Sequence, residues 1–376
     1  MPVAYYEYWL SQIPYVGSAT IQKLLNRYGT PEQIYRAPVA ELAEDRLLTG
    51  RQLTSLERSR SAQALHKIDK DLELMKRQNI RLITSGSSEY PESLRYIANP
   101  PYSLFAKGNL PDPGRPCLAV VGGRTTSYAA RSFAAKIGRE LAEHGIGVVS
   151  GLARGIDVAA QQGVLSIPGG VTYGILGCGI DQCYPEENME PYMLMQQQGG
   201  VISEFAPGVR PVAANFPMRN RLISGLSQGI LVIGARENSG SLITVSHALE
   251  EGKDIFVVPG NVWDPGFEAS NRLLKEGAVP VTEIRDILDG MGIFVDEDIS
   301  STKDRIVKNL TGEEARIYEL LGLSPVHISQ ICEALQMSVP QVLQVIHGLL
   351  GRGIVREEGN HYYTVESELF FTNQKK

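Results

Sequence analysis

Residues 117–145, CLAVVGGRTTSYAARSFAAKIGRELAEHG, decide the fold of this chain because they have the pattern of a buried strand, a glycine turn and a helix. The run from Cys117 to Val121 is apolar and rich in valine, which predicts a central parallel strand. Two glycines then allow a ligand to approach the backbone, and Thr126 or Ser127 suits the cap of the following helix. Backbone N–H groups at such a helix start attract anions, so the segment predicts a phosphate-binding loop.

The loop itself, VGGRTTS, matches neither the GxGxxG dinucleotide pattern nor the GxxxxGK[ST] P-loop. Arg124 supplies the cation that those patterns would place elsewhere, and its planar guanidinium can clamp a phosphate or stack on a base. The alternative is an ordinary strand, turn and helix with a solvated arginine. The binding residues predicted in this loop are Gly122, Gly123, Arg124, Thr125 and Ser127.

Composition gives no global sign of a nucleic-acid partner. The chain has 376 residues, enough for two or three domains, and a formal net charge of -6. Any contact with nucleic acid must therefore be a local stripe of charge. Between Leu110 and Arg236 nine arginines occur with a single lysine, an excess that suits phosphate recognition; the alternative is that many of them are solvated on helix faces.

Cysteine usage and the N-terminus indicate a cytoplasmic protein. Without a CxxC pair, the four cysteines predict neither a zinc site nor a disulfide framework, and we expect no metal and no cofactor. They are Cys117, Cys178, Cys183 and Cys332. The first residues contain Glu7 and break at Pro14, which is unlike a signal peptide, and no apolar run approaches membrane-spanning length.

Between residues 76 and 295, apolar strand candidates alternate with helical runs. This alternation predicts an α/β fold with a Rossmann-like, doubly wound and mostly parallel sheet. The candidate strands are Cys117 to Val121, Gly147 to Ser150, Val171 to Leu176, Gly200 to Ser203, Ile230 to Ile233 and Asp254 to Val258. Most end at glycine or serine, and the carboxyl ends of such strands bind ligands.

Three further loops are therefore predicted to join the phosphate-binding loop. SGLARGID follows the second strand, RNR lies near the start of a helix after Pro217, and SGS precedes another helix. We expect one arginine of RNR to meet the ligand and the other to pair with an acid. Their predicted binding residues are Ser150, Gly151, Arg154, Gly155, Arg219, Asn220, Arg221, Ser239, Gly240 and Ser241.

Four other side chains in this region have chemistry that suits more than one role. Asp157 is expected to cap its helix or to hold Arg154. The aromatic residues Tyr173, Tyr184 and Phe216 suit base stacking, although such residues are more often part of a core or a wall.

Helical modules flank this region on both sides. Residues 1–75 have the pattern of short helices, including a helix-hairpin-helix or SAM-like motif around Gly17, which suits either a DNA phosphate or a protein contact. A polar stretch, residues 296–308, predicts a linker. Residues 309–370 then give three helices and a hairpin, the outline of a winged helix. Its third helix exposes Gln341, Gln344 and His347 without a cation, so protein contact or packing is favoured over reading of duplex DNA.

Eight motifs in order between Ile80 and Val281 resemble the DNA processing protein A family, also called DprA or Smf. They are YPESLRYIANPPYSLFAKGN, VVGGRTTSYA, VVSGLARGID, GILGCGIDQCYPEEN, GVISEF, FPMRNRLISGLS, SGSLITVSHALEEGKDIFVVPGN and NRLLKEGAV. The resemblance implies a non-catalytic, dimeric protein that binds single-stranded DNA and loads the RecA recombinase during natural transformation. It also implies that Arg124 contacts DNA.

The chain departs from the family pattern at three positions. Gly123 stands where the family usually has serine, Gln161 where it has histidine, and Gly234 near the place of an acid. Loss of the serine removes one hydroxyl from the loop but leaves its backbone donor.

Two other classes of function are less consistent with the sequence than single-strand binding. A nucleotide-binding phosphoribohydrolase-like enzyme on the same fold needs a carboxylate for the ribosyl cation, but Ser246 and His247 occupy the comparable stretch. A ligand-sensing transcription regulator would read DNA with the winged helix, which the uncharged third helix disfavours.

Overall fold

The computed structural model describes residues 3–293, 310–321 and 325–365. Six short helices occupy the N-terminal part. They are α1 (Val3–Ser11), α2 (Ser18–Tyr28), α3 (Pro31–Arg36), α4 (Val39–Glu44), α5 (Gly50–Ser59) and α6 (Ala62–Arg77).

A nine-stranded sheet forms the centre, in the order β1-β2-β6-β5-β4-β3-β7-β8-β9. The strands are β1 (Arg81–Thr84), β2 (Ser103–Gly108), β3 (Cys117–Gly122), β4 (Gly147–Ser150), β5 (Thr172–Leu176), β6 (Gly199–Ser203), β7 (Gly229–Ile233), β8 (Asp254–Val258) and β9 (Val279–Pro280). Neighbours from β6 to β9 are parallel, whereas β2 is antiparallel to both β1 and β6. The predicted fold class is confirmed, and the six predicted strands are each found within one residue of their expected ends.

Helices cover both faces of the parallel strands. They are α7 (Tyr128–Glu143), α8 (Ile156–Leu165), α9 (Met189–Leu194), α10 (Asn215–Gly225), α11 (Ser241–Glu250), α12 (Glu268–Lys275) and α13 (Ile284–Gly290). One core joins α7, α8 and α13 to the sheet, and a second joins α10, α11 and α12 to it. The RNR prediction needs a correction here, because α10 begins before Pro217 and Arg219 lies in its middle.

The chain reverses its direction across the sheet between β3 and β7. From β3 it runs outward through β4, β5 and β6, and then returns to place β7 and β8 on the other side of β3. Open α/β sheets bind ligands at such a topological switch point, outside the carboxyl ends of the strands. The predicted phosphate-binding loop follows β3 and therefore lies at this point.

The N-terminal helices share a hydrophobic core with one side of the sheet. The Tyr8 ring lies edge-on to Phe105 of β2, with centroids 6.1 Å apart. At the predicted helical hairpin, the Ser18 hydroxyl accepts a hydrogen bond from the backbone N–H of Tyr102 at 3.0 Å. The Ser18 side chain of this hairpin thus helps to hold the N-terminal helices against the segment that leads into β2.

A separate core forms the predicted winged helix. Its helices are α14 (Gly312–Leu320), α15 (Ile328–Leu335) and α16 (Val339–Gly351), and its strands are β10 (Val326–His327), β11 (Val355–Gly359) and β12 (Tyr362–Val365). Gln341, Gln344 and His347 are exposed on α16 as predicted. The predicted linker, residues 296–308, and the chain after residue 365 lie outside the described residues. Within the described ranges, every helix is too short or too polar to cross a membrane.

Candidate nucleic-acid interface

A cavity of about 910 Å³ lies at the switch point, between the loops that follow β3 and β7. Nine of the fifteen predicted binding residues line it, so most of the loops expected to converge do so. These nine are Gly122, Gly123, Arg124, Thr125, Arg219, Asn220, Ser239, Gly240 and Ser241.

Close backbone contacts fix the phosphate-binding loop. A Cβ atom at Gly122 would lie 2.1 Å from the carbonyl oxygen of Ile233, so β3 and β7 meet here without room for a side chain. Gly155 has a φ of 81°, and a Cβ atom there would lie 2.2 Å from the carbonyl oxygen of Gly123. Only glycine fits both places, which explains why the two loops lie backbone to backbone.

The side chains of this loop point outward or cap the next helix. Arg124, Thr125 and Ser127 are exposed. The Ser127 hydroxyl accepts a hydrogen bond from the N–H of Ala130 at 3.2 Å and so caps α7, one of the two caps predicted. An exposed guanidinium next to a capped helix start is a suitable site for a phosphate.

Aromatic rings form one wall of the cavity. Tyr184 and Phe216 lie with ring centroids 5.6 Å apart, and both line the cavity. The guanidinium carbons of Arg124 and Arg219 lie 5.6 Å and 5.9 Å from the Phe216 centroid. Tyr173, the third stacking candidate, is 2% exposed and donates to the carbonyl of Leu110, so it belongs to the core.

Arg219 is a buried cation beneath the cavity. It is 4% exposed and donates hydrogen bonds to the carbonyl oxygens of Gly151, at 2.9 Å, and Ile175. Burial lowers the pKa of its guanidinium to about 10, so it stays protonated at neutral pH. Burial also raises the pKa of the neighbouring Asp157 carboxyl, and the Arg219 charge offsets part of that rise.

The other two residues of RNR have structural partners. The Arg221 guanidinium donates to both carboxylate oxygens of Glu204, at 2.8 Å and 2.6 Å, which confirms the expected pairing of one arginine with an acid. Asn220 donates to the carbonyl oxygen of Gly240 at 3.0 Å. It thereby holds the loop before α11 in place.

Within SGLARGID, only Arg154 carries an exposed charged side chain. Ser150 is fully buried and donates to the carbonyl of Val120 at 2.6 Å. Asp157 accepts from the N–H of Gly151 at 3.1 Å and does not hold Arg154. Arg154 instead pairs with Glu187, through two contacts of 2.8 Å. From this loop Ala153 and Asp157 line the cavity, and Arg154 must leave Glu187 before it can bind an anion.

Arg236 was not among the predicted binding residues, yet it lines the cavity in the loop that follows β7. Its side chain is exposed and makes no ion pair within the described residues. An arginine three residues after a predicted parallel strand was the available signal. The carboxylates of Asp157, Glu237 and Glu268 also line the cavity, so its charge is mixed.

The three departures from the family pattern have different structural settings. Gln161 is fully buried and donates to the carbonyl of Tyr173 at 3.1 Å, which places that change in the core. A Cβ atom at Gly123 would lie 2.7 Å from Thr126 Cγ2 and 3.2 Å from the Gly234 carbonyl oxygen. Gly123 and Gly234 therefore face each other at the switch point, and the two departures adjoin.

The winged helix approaches this interface through its hairpin. The guanidinium carbon of Arg356, on β11, lies 4.6 Å from the ring centroid of Tyr128, the first residue of α7. Arg356 also pairs with Glu358. The wing thus reaches the residue that follows Ser127, although α16 itself carries no basic side chain other than His347. Within the described ranges, no group of three His, Cys, Asp or Glu side chains is placed to hold a metal.

The fold and the cavity define a Rossmann-like protein with a glycine- and arginine-lined cleft at its topological switch point. The family model for DNA recombination-mediator protein A matches residues 81–292, and the family model for the DprA winged helix domain matches residues 301–350. The chain belongs to the DNA recombination-mediator protein A family, as its motifs predicted.

Named relatives agree with this assignment. Protein Smf of Escherichia coli is 39% identical over 225 residues, which are 60% of this chain and 60% of that protein. DNA processing protein DprA of Streptococcus pneumoniae is 41% identical over 199 residues, which are 53% of this chain and 70% of that protein.

Solved structures of two relatives are also similar. The crystal structure of DprA from Streptococcus pneumoniae aligns with a TM-score of 0.66 and 32% identity, over 77% of this chain and 98% of that chain. DNA processing protein A from Helicobacter pylori, described for its single-stranded DNA binding mode, aligns with a TM-score of 0.50 and 26% identity, over 56% and 95%.

Proposed function

We propose that this chain binds single-stranded DNA in the switch-point cavity and helps to load a RecA-type recombinase onto that DNA. The observation that carries the proposal is the meeting of three arginines, Arg124, Arg219 and Arg236, with tightly packed glycine loops at one edge of the sheet. Exposed guanidinium groups and loop amides contact phosphates, and a buried cation beneath them favours negative charge above it. The DNA-binding relative from Helicobacter pylori supports the choice of ligand.

The shape of the site favours a single strand over a duplex. The arginines and the rings of Tyr184 and Phe216 lie in a cleft, where an unpaired base can reach an aromatic face. A duplex hides its base faces and needs a helix or ribbon that enters a groove. The most obvious reading helix, α16, exposes glutamines and a histidine instead of cations. We therefore expect phosphate and stacking contacts with little dependence on sequence.

The remaining parts of the proposal rest on family membership. A protein that mediates recombination acts beside a RecA-type recombinase, and we propose that this one does so as a homodimer in the cytoplasm. Ser127, Ser150, Gly151, Gly155, Asn220 and Arg221 would then position the cavity walls rather than grip DNA, since they cap, pack or pair within the fold.

A loading assay tests the function. Single-stranded DNA is coated with single-strand binding protein, and the ATPase activity of a RecA-type recombinase is followed with and without the full chain. We expect the chain to shorten the lag before ATP hydrolysis, and Arg124→Glu to restore the lag because it weakens the DNA contact. No change of the lag at saturating wild-type protein would contradict the loading role, and binding measured in parallel separates that result from a failure to bind DNA.

A further inference from the structure

The loop after β8 presents an indole to solvent. Trp263 is 89% exposed, whereas the other tryptophan of the chain, Trp9, is fully buried. An exposed tryptophan is unusual for a side chain that buries so much area when it finds a partner. An indole in this position is therefore a candidate contact for a ligand.

The backbone around this indole is held in place by hydrogen bonds. The Asn261 side chain accepts from the N–H of Trp263 at 2.9 Å, and the Asp264 side chain accepts from the N–H of Gly266 at 2.7 Å. At the base of the loop, Asn271 exchanges two hydrogen bonds with the backbone of Gly260, at 3.2 Å and 3.1 Å. A fixed loop presents the ring at little entropic cost on binding.

The loop also continues the edge that holds the cavity. Strands β3, β7 and β8 are adjacent and parallel, and Arg124, Arg236 and Trp263 follow them in that order. Neighbouring strands are ~4.8 Å apart, so the three strand ends span roughly 10 Å. Pro265 and Gly266, from the same loop as Trp263, line the cavity itself.

Acidic residues near the loop are engaged by other groups. Glu237 pairs with Arg272 at 3.1 Å, and Asp264 caps the turn that contains Gly266. These groups leave no unpaired cation to hold a phosphate at this end of the edge within the described residues, whereas the flat face of a base carries no net charge and needs none. The chemistry around Trp263 therefore suits a nucleobase whose phosphate is held on the Arg236 side.

We propose that Trp263 is a stacking platform for a nucleobase of the single strand that occupies the cavity, so that the DNA track extends from β3 across β7 to β8. This inference rests on the proposed single-strand binding and adds a residue that extends the track as far as β8. Base stacking tolerates every base, so the platform contributes affinity without sequence preference.

Tryptophan fluorescence tests the platform with the full-length protein and oligo(dT). Emission from Trp263 is the difference between wild type and Trp263→Phe, since Trp9 remains in both. We expect oligo(dT) to quench this difference emission, and Trp263→Ala to bind the oligonucleotide roughly tenfold more weakly. Trp263→Phe, which keeps a ring, should bind within about threefold of wild type.

Several results would overturn the platform. The stacking role of Trp263 is refuted if wild type binds oligo(dT) without quenching of Trp263 and Trp263→Ala binds it with the same affinity as wild type. That result leaves the proposed single-strand binding intact. A change of oligomeric mass in Trp263→Ala, with unchanged DNA affinity, would assign the indole to a contact between copies instead. If wild type fails to bind oligo(dT) at all, the proposed function fails first.

Discussion

Replacing Arg124 by glutamate should abolish most single-strand binding without unfolding the chain. The side chain is exposed on the loop after β3, and its guanidinium lies over Phe216 without an ion pair in the described residues. No core contact is lost by the change. The substitution instead places an anion beside the position proposed for a DNA phosphate.

The expected loss can be worked out from one charge contact. Two unit charges 4 Å apart interact with about 1 kcal/mol in water, and with about twice that where half the screening is lost. Reversal of the charge removes an attraction and adds a repulsion, so Arg124→Glu should cost about 2 to 4 kcal/mol, roughly a 30- to 700-fold loss of affinity. Arg124→Lys keeps the charge but not the bidentate fork, and should lose under about tenfold.

Fluorescence anisotropy of a labelled oligonucleotide measures both variants, and circular dichroism checks their fold. Lys70→Glu, on the exposed side of α6, makes the same change of charge in the N-terminal part and should bind as wild type does. Arg139, farther along α7, is an unsuitable control because it is 8% exposed and its replacement would perturb the core. If folded Arg124→Glu and Lys70→Glu bind equally well, the loop after β3 is not the DNA site.

Three further outcomes follow from the same structure. Glu187→Gln releases Arg154 and should raise the affinity for single strands, measured by anisotropy, roughly two- to fivefold. Because Arg154 lowers the pKa of the Glu187 carboxyl, this gain over wild type should shrink only at acidic pH. A variant that binds more weakly than wild type would show that Arg154 does not contact DNA. A chain truncated after Asp298 loses the winged helix and its Arg356 contact, yet should keep its affinity within about a hundredfold, or 2.7 kcal/mol; a larger loss in a folded truncation would place DNA on the wing. Incubation with AMP or labelled DNA, with and without magnesium, should give no hydrolysis, and turnover that a loop mutation removes would reveal an enzyme.

The parallel part of the sheet was predictable from the sequence because its strands are apolar on both faces. Short apolar runs rich in β-branched residues, such as Cys117 to Val121, are typical of buried parallel strands, and glycine or serine marks the ends of most of them. The strands β1, β2 and β9 were not predicted. β1 is partly exposed and β9 has only two residues, so neither carries a strong apolar pattern. The domain boundaries at residues 75, 295 and 309 stay predictions.

The site was only partly predictable because burial decides what an arginine does. The sequence does not distinguish Arg219, which sits under the cavity, from Arg221, which pairs with Glu204. The Arg154 pair with Glu187 joins residues 33 positions apart and depends on how two loops meet. Trp263 was likewise invisible, since an aromatic residue in a loop is more often packed than exposed.

The most direct test of the account compares one oligonucleotide sequence as a single strand and as a blunt duplex, by anisotropy, over a series of salt concentrations. We expect tighter binding of the single strand at every salt concentration. We also expect log affinity for the single strand to fall with log salt with a slope of about two, as three phosphates neutralised by the arginines at the cavity would give. Equal or tighter binding of the duplex would contradict single-strand recognition by the switch-point cavity.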